Sequence, residues 1–173
     1  GQTVALVGPT GSGKSTLVNL IPRFYDPVSG RVLVDSLDVR EIRLGELRRA
    51  VTVMFQETFL FSASVAENIA YGKPSATLAE TERCARAAQA HEFIAELENG
   101  YETVIGERGI SLSGGQRQRI AIARAFLMDP RILVLDDALS PGDTQTEEDI
   151  LHGLRAVRHR RTTFLVSHRV STV

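Results

Sequence analysis

Gly8-Pro9-Thr10-Gly11-Ser12-Gly13-Lys14-Ser15-Thr16 is the densest run of chemistry-bearing residues in the chain. The spacing G-x-x-x-x-G-K-[ST] suits a polyanion. Glycines let backbone N–H groups turn inward with no Cβ in the way. A helix beginning near Gly13 points its positive end at the same anion. Lys14 supplies a mobile point charge to β- and γ-phosphates, and Ser15 offers a hydroxyl to Mg²⁺. A chance match is a weak competitor. Only two of the 20 cationic residues are lysine, Lys14 and Lys73, and an apolar strand precedes the loop while a helical pattern follows it. Gly8 to Thr16 is therefore read as a nucleotide phosphate site.

Arg131-Ile132-Leu133-Val134-Leu135-Asp136-Asp137 reads as a buried strand ending in two acids. A carboxylate at the C-terminal end of a strand, beside a phosphate loop, is where a nucleotide-bound Mg²⁺ needs a ligand. Asp136 takes that role, through water. The plainer alternative is that the two acids merely end a strand or cap a helix. It loses ground once a phosphate loop is present.

The elements that must hold these residues follow from the apolar pattern. Four short continuous apolar runs, Thr3–Val7, Val51–Phe55, Ile132–Asp136 and Thr163–Ser167, read as strands covered on both faces. Helical patterns lie between them at Lys14–Ile21, Gly115–Met128 and Glu147–Arg160, the first two stopping at Pro22 and at Asp129-Pro130. This alternation predicts an α/β fold with a mainly parallel sheet flanked by helices. The Ala/Glu-rich stretch from about 62 to 109 is helical in period (Leu78–Gln89, His91–Glu98), and is expected to form an inserted helical subdomain within a core of 1–61 and 110–173. Arg31–Val34 and its neighbours, after Ser29-Gly30, are expected to form a small antiparallel piece.

Composition narrows the class. The 173 residues make about one domain. Hydrophobic residues at 43% and charged residues at 24% exclude disorder, and a single cysteine, Cys84, excludes a disulfide scaffold. The longest apolar runs, such as Val4 to Val7, fall far short of the ~20 residues a membrane helix needs. A net charge of −1 gives no general field for nucleic acid, so no nucleic-acid partner is expected. The basic cluster Arg155, Arg158, Arg160 and Arg161 reads as a solvated helix end. Both ends of the chain stand close to core elements, from which it is expected to be a piece of a longer polypeptide.

Leu112-Ser113-Gly114-Gly115-Gln116 decides between families. Ser113 is a good N-cap and two glycines open the next helix, which makes a second anion-binding terminus. One nucleotide does not need two such termini from one chain, so a second molecule is implied. Here the sequence resembles, over essentially its whole length, the nucleotide-binding domain of ATP-binding cassette (ABC) transporters, whose signature is LSGGQ. The resemblance implies a P-loop NTPase that binds ATP and Mg²⁺ and hydrolyses the nucleotide. It assigns Gln56 to the Q-loop, reaching the metal and the attacking water, and His168 to the switch histidine at the γ-phosphate. Ser140 and Asp143 fall in the D-loop, and Ser15, Gln56 and Asp136 around the metal. Thr103 to Gly109 resembles the X-loop of exporters. Phe59-Leu60-Phe61-Ser62 with Val65-Ala66-Glu67-Asn68-Ile69 resembles the exporter segment after the Q-loop. That surface is expected to receive coupling helices of a transmembrane domain, usually on the same polypeptide. The resemblance thus places the chain on the cytoplasmic side of a membrane, of the bacterial plasma-membrane type.

The sequence departs from the family pattern at two places. Hydrolysing members usually follow the Walker B aspartate with a glutamate that polarises water; here the residue is Asp137. Its carboxylate falls about 1.5 Å short, a shift that can cost ~10²-fold. The D-loop carries Pro141-Gly142 where the family usually has Ala-Leu. The combination resembles one half of a heterodimeric multidrug or lipid exporter. Its own site would be slow, and its Ser113-Gly114-Gly115 would complete a partner domain's site. A regulatory ATP-binding subunit without useful hydrolysis is the alternative, and a soluble ATPase acting on nucleic acid is a remote one. The family also stacks adenine on an aromatic residue upstream of the phosphate loop. Without it, weaker ATP binding by ~1–3 kcal/mol is expected.

Overall fold

The computed structural model describes residues 1–55, 57–106, 112–137, 148–150, 152–153 and 161–167. These divide into two compact units. One takes in Gly1–Val53, Pro130–Asp137 and 161–167; the other takes in the described residues from Met54 to Asp129 with 148–150 and 152–153.

The first unit is built on a four-stranded sheet. Its strands are β1 (Thr3–Val7), β4 (Val51–Met54), β5 (Ile132–Asp136) and β6 (Thr162–Ser167), in the order β1-β6-β5-β4. β1 and β5 both pair parallel with β6. All four strands were legible as continuous apolar runs; β4, β5 and β6 are mostly buried, as a covered parallel sheet demands, whereas β1 is not covered on both faces and leaves Thr3, Val4 and Val7 exposed. Helix α1 (Lys14–Asn19) packs Val18 against Val134 and Val166, with Leu6, Ile21, Val53 and Phe164 around them. It ends two residues sooner than the pattern predicts. Leu20 and Ile21 leave the helix just before Pro22, whose ring disfavours helical backbone in the residue ahead of it.

Two further pieces complete this unit. β2 (Leu33–Val34) and β3 (Leu37–Asp38) make an antiparallel hairpin around Asp35 and Ser36, both at positive φ, the geometry of a two-residue hairpin turn. Helix α2 (Leu44–Ala50) was not read from the sequence. It has only seven residues, and Leu47 is its one fully buried side chain, packed with Val39 and Val51. One buried position in two turns leaves no periodic signal.

The second unit is helical: α3 (Val65–Ala70), α4 (Leu78–Ala87), α5 (His91–Ala95), a 3₁₀ turn at Gly100–Glu102, and α6 (Gly114–Leu127). α3 and α4 both pack on α6. Capping boxes start α3 at Ser64/Glu67 and α4 at Thr77/Glu80. The Glu80 carboxylate, held by Lys73 and the Thr77 amide, titrates at about 2. α6 buries Ile120, Ile122, Ala123, Ala125, Phe126 and Leu127 and stops before Asp129, at φ 48°, and Pro130. Of the helix expected at Glu147–Arg160, residues 148–150 and 152–153 are described and are helical. Among the described residues, no helix is long and apolar enough to cross a membrane.

A candidate nucleotide site at the sheet edge and a second helix terminus

β1 delivers the chain to the phosphate loop, and the loop's shape depends on two glycines. Gly11 and Gly13 take φ of 82° and 88°, and a Cβ would meet nothing within 4 Å at either. Glycine is needed there for backbone conformation, not for room. Gly8 differs, because a Cβ there would come within 3.0 Å of Ser12 Oγ. The Ser12 amide donates to Pro9 O at 3.2 Å and closes the turn.

α1 begins on Gly13 with no side-chain cap and no acid in its first turn. Its first N–H groups are thus left for an external acceptor. Lys14 Nζ donates to Gly8 O at 2.7 Å and Pro9 O at 3.0 Å. The ammonium lies folded over the loop it would share with a phosphate. Ser15 and Thr16 are exposed beside it.

Asp136 ends β5 at the same edge of the sheet. In the ladder it lies level with Val166, and Val166 lies level with Leu6, two residues before Gly8. One strand separates the carboxylate from the loop, so both lie at the strands' C-terminal ends, the side on which open α/β sheets bind ligands. Asp136 is buried, yet its Oδ1 has no hydrogen-bond partner among the described residues. An orphaned buried carboxylate oxygen fits a cation or its water shell. The donor set of carboxylate, Ser15 hydroxyl and nucleotide oxygens suits Mg²⁺, which prefers oxygen and keeps several waters. Asp137 follows in the left-handed region, φ 47°, with its amide donating to Val166 O at 3.0 Å.

The second terminus lies in the helical unit. Ser113 caps α6 with a full capping box: its Oγ accepts from the Gln116 amide at 3.2 Å, and Gln116 Oε1 accepts from the Ser113 amide at 2.9 Å. Arg117 Nη1 donates to Leu112 O at 2.6 Å. Gly114 and Gly115 face open space, with no atom within 4 Å of a would-be Cβ, and the first turn holds no acid. Gln56, Ser140, Asp143 and His168 lie outside the described residues, as do Glu107 to Gly109 and Pro141-Gly142.

The sequence reading missed one arrangement. Asn68 is fully buried, and Arg124 of α6 donates to its backbone and side-chain oxygens and to Phe59 O. A cation inside the apolar run Ile120–Leu127, and an Asn within the apolar α3, were the signals available.

A glycine-shaped phosphate loop leading off a parallel sheet, with a carboxylate at the adjacent strand end, defines the phosphate-loop nucleotide-binding class. The chain matches the ABC transporter family over residues 1–140. It is 52% identical, along all 173 residues, to the "ATP-dependent lipid A-core flippase" of Chromohalobacter salexigens, spanning 30% of that protein. It is 51% identical, again along its whole length, to the "Beta-(1-->2)glucan export ATP-binding/permease protein NdvA" of Brucella abortus, spanning 29%. Among solved structures, a bacterial Atm1-family ABC exporter with ATP bound superposes with a TM-score of 0.93 at 47% identity, over 97% of this chain and 29% of that one. The chain belongs to the ABC transporter family and corresponds to the nucleotide-binding domain of its exporters. It spans about 30% of the length of these curated relatives.

Proposed function

We propose that this chain binds MgATP between its own phosphate loop and the signature of a second nucleotide-binding domain, and that the cycle of binding and hydrolysis powers export. The observation that carries this reading is the presence of two anion-ready helix starts in one chain, Gly13 and Ser113, in different compact units. The ATP-bound exporter similar to this chain supports the choice of nucleotide.

In this reading the α1 amides and Lys14 hold the β- and γ-phosphates. Lys14 Nζ exchanges the carbonyls of Gly8 and Pro9 for phosphate oxygens. Ser15 and Asp136 hold Mg²⁺, with Gln56 completing its surroundings. Held by these residues, Mg²⁺ would supply positive charge to offset the charge that develops on the transferred phosphoryl group. Asp137 orients the water and His168 contacts the γ-phosphate, with Ser140 and Asp143 at the interface between domains. Ser113, Gly114 and Gly115 present a hydroxyl and backbone amides to the partner's ATP.

The partner is a second nucleotide-binding domain, in a heterodimer in which the Asp137 site is the slow one. The surface around Phe59, Phe61 and Val104 receives coupling helices of a transmembrane part on the same polypeptide. The chain then works on the cytoplasmic side of a membrane, with a core of 1–61 and 110–173 and a helical subdomain near 62–109. Sedimentation with and without MgATP tests the pairing. Association with a domain whose Walker B strand ends in Asp-Glu is expected only with nucleotide present. Equal association without it overturns the reading.

A second reading keeps ATP binding but gives the chain a regulatory role with no useful hydrolysis. The short Asp137 side chain favours it. Asp137→Glu separates the two, because a non-hydrolysing chain with other defects would gain nothing from the change.

A further inference from the structure

We infer that Arg124 and Asn68 are positioning residues that tie the segment 59–64 to the signature helix, so that movement at one is transmitted to the other. The inference rests on the nucleotide-dependent function proposed above, and adds the route by which that site reaches the exporter-like surface.

Every residue concerned lies within the helical unit. Asn68 sits on α3 with no solvent exposure. Its Nδ2 donates to Phe61 O at 3.0 Å, Ala63 O at 3.3 Å and Ser64 O at 3.0 Å; its Oδ1 accepts from the Phe61 amide at 2.8 Å. One amide side chain thus fixes backbone groups of three residues, Phe61, Ala63 and Ser64, the work a strand partner would otherwise do. The same Oδ1 accepts from Arg124 Nη2 at 3.0 Å. Arg124 also donates through Nε to Asn68 O at 2.7 Å and through Nη1 to Phe59 O at 3.1 Å. All these acceptors are uncharged, and Arg124 makes no ion pair among the described residues. Burial without a counter-charge draws its pKa below the ordinary value.

A guanidinium held this way is an expensive means of stabilising a helix contact. An apolar residue would pack there with no desolvation cost. What the planar fork adds is direction, since three donors in one rigid plane fix three oxygens relative to α6. The plane also lies over the rings of Phe61 and Tyr71, at 5.5 and 5.8 Å from their centroids. Those rings stack at 4.3 Å, and Phe59 meets Phe61 edge-on at 5.0 Å. Phe59 and Tyr71 are more than half exposed. α6 is one uninterrupted helix, and Arg124 lies ten residues, about 15 Å, beyond Gly114 at its start. A rigid rod thus carries the signature at one end and grips the exposed aromatic segment at the other.

The test uses the intact protein in phosphatidylcholine vesicles, read by hydrogen exchange of the 59–64 peptide without nucleotide and after trapping with MgATP and vanadate. Steady-state kcat and KM for ATP are measured alongside. Arg124→Lys keeps the charge but cannot span three oxygens. The wild type is expected to change exchange at 59–64 on trapping. Arg124→Lys is expected to lose that response by about fivefold, with KM for ATP within about twofold. Asn68→Asp, which keeps the acceptor and removes the donors, should lose it similarly. A wild-type response in either variant overturns the inference. So does equal loss of protection in both states with a lower Tm, the mark of a purely structural role. A wild type that responds at residues 8–16 but not at 59–64 overturns the inference alone. A wild type that responds nowhere overturns the functional reading with it.

Discussion

Two helices in this chain start where an anion is expected, and they start by different means. α1 begins on Gly13 in the left-handed region, without a side-chain cap. α6 begins on Ser113 in extended backbone, inside a closed capping box. Open N–H groups are what α1 has to offer, and its lysine rests on loop carbonyls that a phosphate would replace. The α6 terminus has already satisfied the Ser113 and Gln116 amides, and it offers the glycine amides and the serine hydroxyl. The first terminus has the open groups that a nucleotide of its own would need. The second is a finished surface, suited to touching a nucleotide held elsewhere.

Lys14→Ala should break the comparison hardest. Charge-assisted bonds to phosphate are worth ~1.5–3 kcal/mol each, so ATP binding at this loop should weaken by about 100-fold. Calorimetric titration of ATP checks the loss. A partner domain that retains its own lysine should keep much of its turnover. Loss of all turnover in the pair would remove the division of labour between the two termini.

Asp137→Glu comes next. The longer side chain restores reach to the water, and a gain of about 10- to 100-fold in ATPase rate is expected. Because residue 137 sits at φ 47°, where Asp is tolerated better than Glu, a slight fall in Tm should accompany the gain. An unchanged rate would point to the regulatory reading.

The contrast between the two termini was only partly legible in the sequence. Gly8 to Thr16 were readable as a phosphate loop because such a loop needs fixed residue types at fixed spacing. The four strands announced themselves as unbroken apolar runs. Ser113 is readable as a cap, and the S-x-x-Q spacing to Gln116 also spells the capping box that it forms. α2 was invisible because one buried leucine makes no period. The Asn68–Arg124 link was invisible for another reason. It joins residues 56 positions apart, and only the packing of α3 on α6 brings them together. Gln56, Ser140, Asp143 and His168 lie outside the described residues, and their assignment rests on the family pattern.

One substitution made at both termini should give opposite signs. Gly13→Ala puts a Cβ at φ 88°, and ~1–2 kcal/mol of stability should be lost although the space is open. Gly115→Ala falls inside α6 in helical backbone, again in open space, and should gain up to ~1 kcal/mol. Thermal unfolding of the two variants decides it. Matching signs would mean that the two starts are more alike than their backbones indicate. The stabilised Gly115→Ala variant should nonetheless support less turnover at the partner's site, because in the proposed pairing its methyl would stand where a phosphate approaches the amide.

The smallest effect is the most specific. Among the described residues, three helices of the second unit begin with capping boxes, and those of α3 and α4 use a glutamate, Glu67 and Glu80. α6 alone among the three uses a neutral Gln116. On dipole grounds a glutamate would serve that helix at least as well, by ~0.3–1 kcal/mol. Its absence is explained if the terminus must face a triphosphate, because a carboxylate there would repel it. Gln116→Glu should therefore keep the box and hold or slightly raise Tm, while ATP-dependent association with the partner weakens about fivefold, the equivalent of ~1 kcal/mol of like-charge repulsion across water. The loss should shrink as salt is raised. Association at wild-type strength would mean that no phosphate comes near α6, and the two termini would then have no nucleotide in common.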